Sequence, residues 1–127
     1  MRIQSSPSMS ALYSLASSLQ VTANNLANVN TNEFKASVTR FETGPRDQGV
    51  RISEISEDAR PGAFVEHPVY MEIDGRAHQR MGWVETSNTD VPREFVDMIS
   101  AERAYQANIA SIRTADEMLG SILNASA

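Results

Sequence analysis

Few side chains in this 127-residue chain are suited to chemistry. Cysteine is absent, which removes thiolate nucleophiles, disulfides and thiolate metal sites. The two histidines, His67 and His78, are the only side chains of a type that ordinarily titrates near neutrality. A hydrolytic site would have to combine His67, Asp74 and one of the 15 serines, yet no Gly-x-Ser-x-Gly turn presents a nucleophile. The histidines stand 11 residues apart with no carboxylate cluster nearby, a spacing that argues against a metal site. Glu57-Asp58 and Asp116-Glu117 are paired carboxylates of the kind that decorates solvated surfaces. The six glycines are scattered, so no loop is built to cradle phosphate. Ten arginines and the single Lys35 form no cluster in a chain of formal charge −5, which argues against a nucleic-acid surface, and Trp83 and the phenylalanines then read as packing residues. The chemistry-bearing residues therefore describe a protein expected to be no enzyme and to need no metal or cofactor.

The elements that carry these residues are more informative. Charged residues make up 21% of the chain, but positions 3 to 32 hold none. Within that gap Leu12, Leu15, Leu19, Thr22, Leu26 and Val29 follow a 3-4 spacing, the seam of a helix packed on another helix. Ser6-Pro7 supplies an N-cap and a proline at the first helical position, and the helix is expected to run from about Pro7 to Val29. Its remaining faces carry neutral Ser and Asn, which are mediocre helix formers, so neighbours must hold it. A polar but uncharged face is enclosed without desolvating ions, which predicts a helix surrounded by other helices.

The last third repeats the pattern. Phe95, Met98, Glu102, Tyr105, Ile109, Ile112, Asp116, Leu119 and Leu123 keep the same alternation, with Asp90 as N-cap, over a helix from about Val91 to Leu123. Glu102 and Asp116 within the seam then require neutral donors or a basic partner. Between the helices, alternation at Phe34, Ala36 and Val38, at Val50 and Ile52, and at Val69, Met71 and Ile73 predicts two to four short strands. Gly44-Pro45, Arg60-Pro61-Gly62 and Asp74-Gly75 mark turns, and His67 before Pro68 reads as a loop residue. The expected fold is mainly α. Long N- and C-terminal helices form an antiparallel coiled-coil-like pair, residues 1–32 and 90–127, joined by a small β-rich or irregular lobe, residues 33–89, and the second helix overhangs near Phe95. The stretch Met1 to Ser10 lacks the apolar block of a signal peptide, and no run approaches a membrane span.

Two strings carry a family resemblance. Ala23-Asn24-Asn25-Leu26-Ala27-Asn28-Val29-Asn30-Thr31, followed by Phe34-Lys35, resembles the N-terminal signature of bacterial flagellar rod, hook and related axial proteins. Ser87-Asn88-Thr89-Asp90, Glu94-Phe95-Val96 and Ala101-Glu102-Arg103-Ala104-Tyr105-Gln106-Ala107-Asn108 resemble the matching C-terminal signature. The short middle is similar to that of proximal-rod members, except that Val69 to Met81 replaces their acidic, glycine-containing stretch. Glu33 stands where many members have glycine, which leaves Asn32 as the residue for any left-handed turn position. The resemblance implies a structural subunit of the basal-body rod whose terminal helices polymerise into a torque-transmitting tube. It implies as partners other copies of the chain, other flagellar rod proteins and the flagellar type III export apparatus, through which the subunit passes without a cleaved signal peptide to the periplasm. The packing residues of this reading are Leu12, Leu15, Leu19, Asn25, Leu26 and Asn28 in the first helix. In the second they are Phe95, Met98, Tyr105, Gln106, Asn108, Ile109, Ile112, Leu119 and Leu123. Two other readings compete: another rod paralogue, and a cytosolic helical adaptor or chaperone whose seams close on each other.

Overall fold

The computed structural model describes residues 6–127; residues 1–5, the opening of the 1–32 segment, lie outside the described residues. Helix α1 (Pro7–Ala27) starts at Ser6, whose Oγ accepts from the Met9 N–H at 3.2 Å, with Pro7 in the first turn where its missing N–H costs nothing. It ends at Asn28, whose Nδ2 turns back to donate to the Asn24 carbonyl at 2.9 Å. A first antiparallel hairpin follows, β1 (Ser37–Thr43) and β2 (Val50–Glu57), with a bulge at Arg40/Phe41. A second joins β3 (Phe64–Ile73) and β4 (Arg76–Glu85) through Asp74-Gly75, whose φ angles of 53° and 73° are those of a type I′ turn. Helix α2 (Val91–Ala125) is capped by Asp90, which accepts from the Arg93 N–H at 3.3 Å. Among the described residues, no helix is long and apolar enough to cross a membrane.

The helices run antiparallel, since Asn25 near the end of α1 bonds Glu94 at the start of α2, and Leu15 and Ser18 share a groove with Ser100 and Ala101. A mainly α pair of long terminal helices is nevertheless not what forms. α1 has 21 residues against 35 in α2, and four strands of 7, 8, 10 and 10 residues together hold as many residues as α2. The neutral polar face of α1 meets a strand edge as well as α2. Ser14 Oγ donates to the Val50 carbonyl at 3.1 Å, and the Val50 N–H donates to Ser10 Oγ at 3.2 Å. Gly49, at φ 71°, closes this approach, because a Cβ there would meet Ser10 Oγ at 2.2 Å. With one flank occupied by a hairpin, α1 pairs only with the first part of α2. The overhang is accordingly at the C-terminal end of α2 and not near Phe95.

Two local expectations also change. His67 lies within strand β3 and not in a loop. Glu33 itself, not Asn32, takes the left-handed position at φ 61°, held there by a 2.9 Å bond from its N–H to the Glu85 carbonyl. Among the described residues the buried side chains are chiefly polar, Ser14, Thr22, Asn25 and Glu94, with Ala36 the buried hydrophobic one. A chain with so little apolar interior leaves much apolar surface to be covered by something else.

Candidate assembly interface

The two signature strings meet in space around Asn25, which is 1% exposed. Its Nδ2 donates to the Ser37 carbonyl at 2.8 Å and to Glu94 Oε1 at 3.0 Å, while its Oδ1 accepts from the Ser37 N–H at 2.9 Å. Its carbonyl accepts from Thr89 Oγ1 at 3.2 Å. One residue thus ties α1, β1 and α2 through its side-chain amide and the segment before α2 through its backbone carbonyl. Asn88 makes a second node: its Oδ1 accepts from the Ala36 N–H at 2.7 Å, and its Nδ2 donates to the Asp58 and Arg60 carbonyls at 2.8 and 2.9 Å. A primary amide suits both positions because it donates and accepts at once without bringing charge into a desolvated place. Beside them Lys35 pairs with Glu85, which also accepts from the Gly62 N–H at 2.8 Å; these two donors, Lys35 first, hold the Glu85 carboxyl below its usual range.

Of the predicted packing residues, Leu12, Leu15, Leu19, Leu26 and Asn28 are half-buried on α1. On α2, Met98, Tyr105, Asn108 and Ile112 are half-buried, whereas Phe95, Gln106, Ile109, Leu119 and Leu123 are exposed. The stripe that faces α1 is Glu94, Met98, Ala101, Tyr105, Asn108 and Ile112. It shares three members with the predicted seam and is otherwise displaced by one residue. Phe95 and Ile109 are exposed, and Glu102 accepts from Gln106 Nε2 at 3.2 Å on its own helix. The stripe facing α1 continues past Ile112 as Leu119 and Leu123, 43% and 69% exposed.

Glu94, Asn88 and Thr89 were not among the expected packing residues. The Ser87-Asn88-Thr89-Asp90 string contained the signal for two of them, whereas a glutamate in a first helical turn reads as a dipole partner, not as a buried group. Burial is the main cause that raises the Glu94 pKa, partly offset by the Asn25 hydrogen bond and reinforced by Asp97. A raised folded-state pKa contributes stability below the usual value of 4.5 and loses it as pH rises through the folded value. Glu94→Gln keeps an acceptor for Asn25 and is expected to remove this component. Urea midpoints measured from pH 4 to pH 7 should fall less steeply, or not at all, in the variant, and parallel curves would refute the assignment.

The residues considered for catalysis are not brought together. His67 and Asp74 are seven positions apart along the second hairpin, about 24 Å in extended chain. The groove between α1, β1 and α2, about 420 Å³, is lined by Leu15, Val38, Phe41, Arg93 and Asp97 and holds neither histidine.

Comparison with known proteins agrees with this geometry. Residues 8–35 match the family model described as flagella basal body rod protein, and residues 80–125 match the one described as flagellar basal body rod FlgEFG protein C-terminal. The two matches cover the segments that meet at Asn25 and Asn88. Over 120 residues the chain is 31% identical to the flagellar basal-body rod protein FlgC of Yersinia enterocolitica, covering 87% of this chain and 86% of that one. It is 37% identical over 76 residues to FlgC of Borreliella burgdorferi, covering 60% of this chain and 49% of that protein. Similarity to the rod protein FlgG of Buchnera aphidicola is confined to 47 residues at 47% identity, 37% of this chain and 18% of that one. With relatives named FlgC matched along most of its length, this chain belongs to the flagellar basal-body rod protein family, as a structural subunit that assembles with other rod proteins in the basal body.

Proposed function

We propose that the chain polymerises with copies of itself and with other flagellar rod proteins through its terminal helices, forming part of the wall of a helical tube that transmits torque. The observation that carries this reading is the stripe on α2 that outruns α1. Leu119 and Leu123 continue the face that packs on α1, and no described residue of the chain covers them. Segments 1–32 and 90–127 supply the wall, and 33–89 a lobe that fixes their relative position. Leu12, Leu15, Leu19, Leu26, Met98, Tyr105 and Ile112 set the pairing of the helices. Phe95, Ile109, Leu119 and Leu123 are the apolar side chains offered to neighbours. The subunit works by packing and catalyses nothing. A small, mainly polar interior also suits a chain that crosses the flagellar type III export apparatus unfolded and reaches the periplasm without a cleaved signal peptide. In the native bacterium, deletion of the gene is expected to abolish swimming and leave basal bodies without a complete rod, with a tagged copy co-purifying with basal bodies after complementation. Normal swimming, or a tagged chain found only in the cytosol, would favour the adaptor reading instead.

A further inference from the structure

The second hairpin stands apart from the rest of the subunit. It is tied at its base, where the Thr86 N–H donates to the Ala63 carbonyl at 2.7 Å and Lys35 pairs with Glu85. Beyond that base both faces are open, with Tyr70 at 73% exposure on one and Ile73 at 52% on the other. A lone two-stranded hairpin is marginal in water, and three strands or a packed face are the usual requirement. Strand register assigns the side chains to faces, because residues two apart and cross-strand partners point the same way. One face carries Phe64, Tyr70 and Trp83 together with Glu66 and Glu72. The other carries Val69, Met71 and Ile73 together with Arg76 and Arg80. Gly82 fits the assignment, since a Cβ there would meet Val69 Cγ2 at 2.5 Å, and this opening keeps the second face flat. Among the described residues none of Glu66, Glu72, Arg76 and Arg80 makes an ion pair.

We propose that copies of this chain stack through the hairpin, the acidic aromatic face of one on the basic aliphatic face of the next. The occupant is a second copy because the two faces of one hairpin complement each other in charge, while either face against itself would oppose like charges. A contact between two different surfaces does not close on a pair of molecules; it repeats along an assembly. The facing sheets would lie about 10 Å apart, within reach of Glu and Arg side chains. This surface is separate from the helices, and it rests on the rod reading only in requiring that copies of the chain meet.

Charge exchange in the full chain tests it. Glu66→Lys with Glu72→Lys makes both faces basic, and Arg76→Glu with Arg80→Glu makes both acidic. In sedimentation velocity over a concentration series, each double variant should self-associate at least about tenfold more weakly than the natural chain, two attractive contacts having become repulsive. An equimolar mixture of the two should recover, since each now complements the other, and so should the fourfold variant with the faces exchanged. Recovery on mixing also excludes misfolding as the cause of the loss. Double variants that associate normally, a mixture that stays weak, or a natural chain that remains monomeric at every concentration would overturn the stacking. Those outcomes leave the rod reading standing, because the deletion and co-purification experiment does not pass through the hairpin.

Discussion

Replacing Asn25 by alanine is expected to destabilise the isolated chain by about 3–4 kcal/mol, a large share of the roughly 5–15 kcal/mol available to a small domain. The change strands the Ser37 N–H and carbonyl and removes the donor to Glu94 in a place from which water is nearly excluded. Each unsatisfied buried group costs about 1–3 kcal/mol, less whatever relaxation lets water in. Asn25→Asp is a sharper variant, because it sets a carboxylate against Glu94. Two acids at hydrogen-bond distance cannot both ionise cheaply, so one pKa rises strongly. A pKa raised in the folded state means stability regained as pH falls and lost as it climbs. Urea denaturation should therefore show both variants gaining stability toward acid pH, because Glu94 stays raised by burial without its Asn25 donor, and the Asp variant should gain more steeply. A loss below about 1 kcal/mol for Asn25→Ala would show that the node is not what joins the helices to the first hairpin.

Replacing Leu119 and Leu123 together by lysine is expected to leave the isolated chain folded and to abolish its incorporation into the rod. Both side chains are exposed in the single chain, and surface changes of this kind stay within about 0.5 kcal/mol. Lysine is a good helix former, and a cation near a helix C-terminus is favourable, so the helix itself should persist. Within a packed wall the same two charges would be desolvated without partners, at several kcal/mol per subunit. Circular dichroism of the purified chain, basal-body purification and a separate assay of export distinguish an assembly defect from unfolding or failed secretion. Leu26→Asp is a less clean probe, because Leu26 is already half-buried against the chain's own elements.

Much of the local structure was legible because single residues decide it. Ser6-Pro7 and Asp90 announce helix starts, and Asp74-Gly75 announces a two-residue hairpin turn. The charge-free stretch was read as a helix surrounded by other helices, but on one flank its neighbour is a β-hairpin and the buried Asn25 bonds Glu94. Ser10 and Ser14 bond a strand edge, and nothing in the helix sequence distinguishes that from a neighbouring helix. The seam of α2 was misplaced by one residue because large apolar side chains dominate a periodicity argument. The observed stripe contains Ala101, Asn108 and a buried Glu94, whose roles depend on what α1 presents to them. Strand β4 was hidden by its polar residues, since Arg76, His78 and Arg80 alternate with Ala77, Gln79 and Met81 on a hairpin that has no covered face. The two amide nodes were visible as strings but not as contacts, for Asn25 and Asn88 find their partners only once the chain ends are brought together.

The claim that apolar side chains on the overhanging part of α2 function by being covered in an assembly is tested most directly by hydrogen exchange. Amide exchange of residues 113–125 should be measured in the purified chain and in isolated basal bodies. In the free chain this segment lies past the contacts that hold α2, so it should open readily and exchange close to its unprotected rate. In the rod the same amides should slow by at least about 100-fold, while amides around Asn25 are protected in both states. Equal, fast exchange of residues 113–125 in the free chain and in the assembled rod would contradict the account.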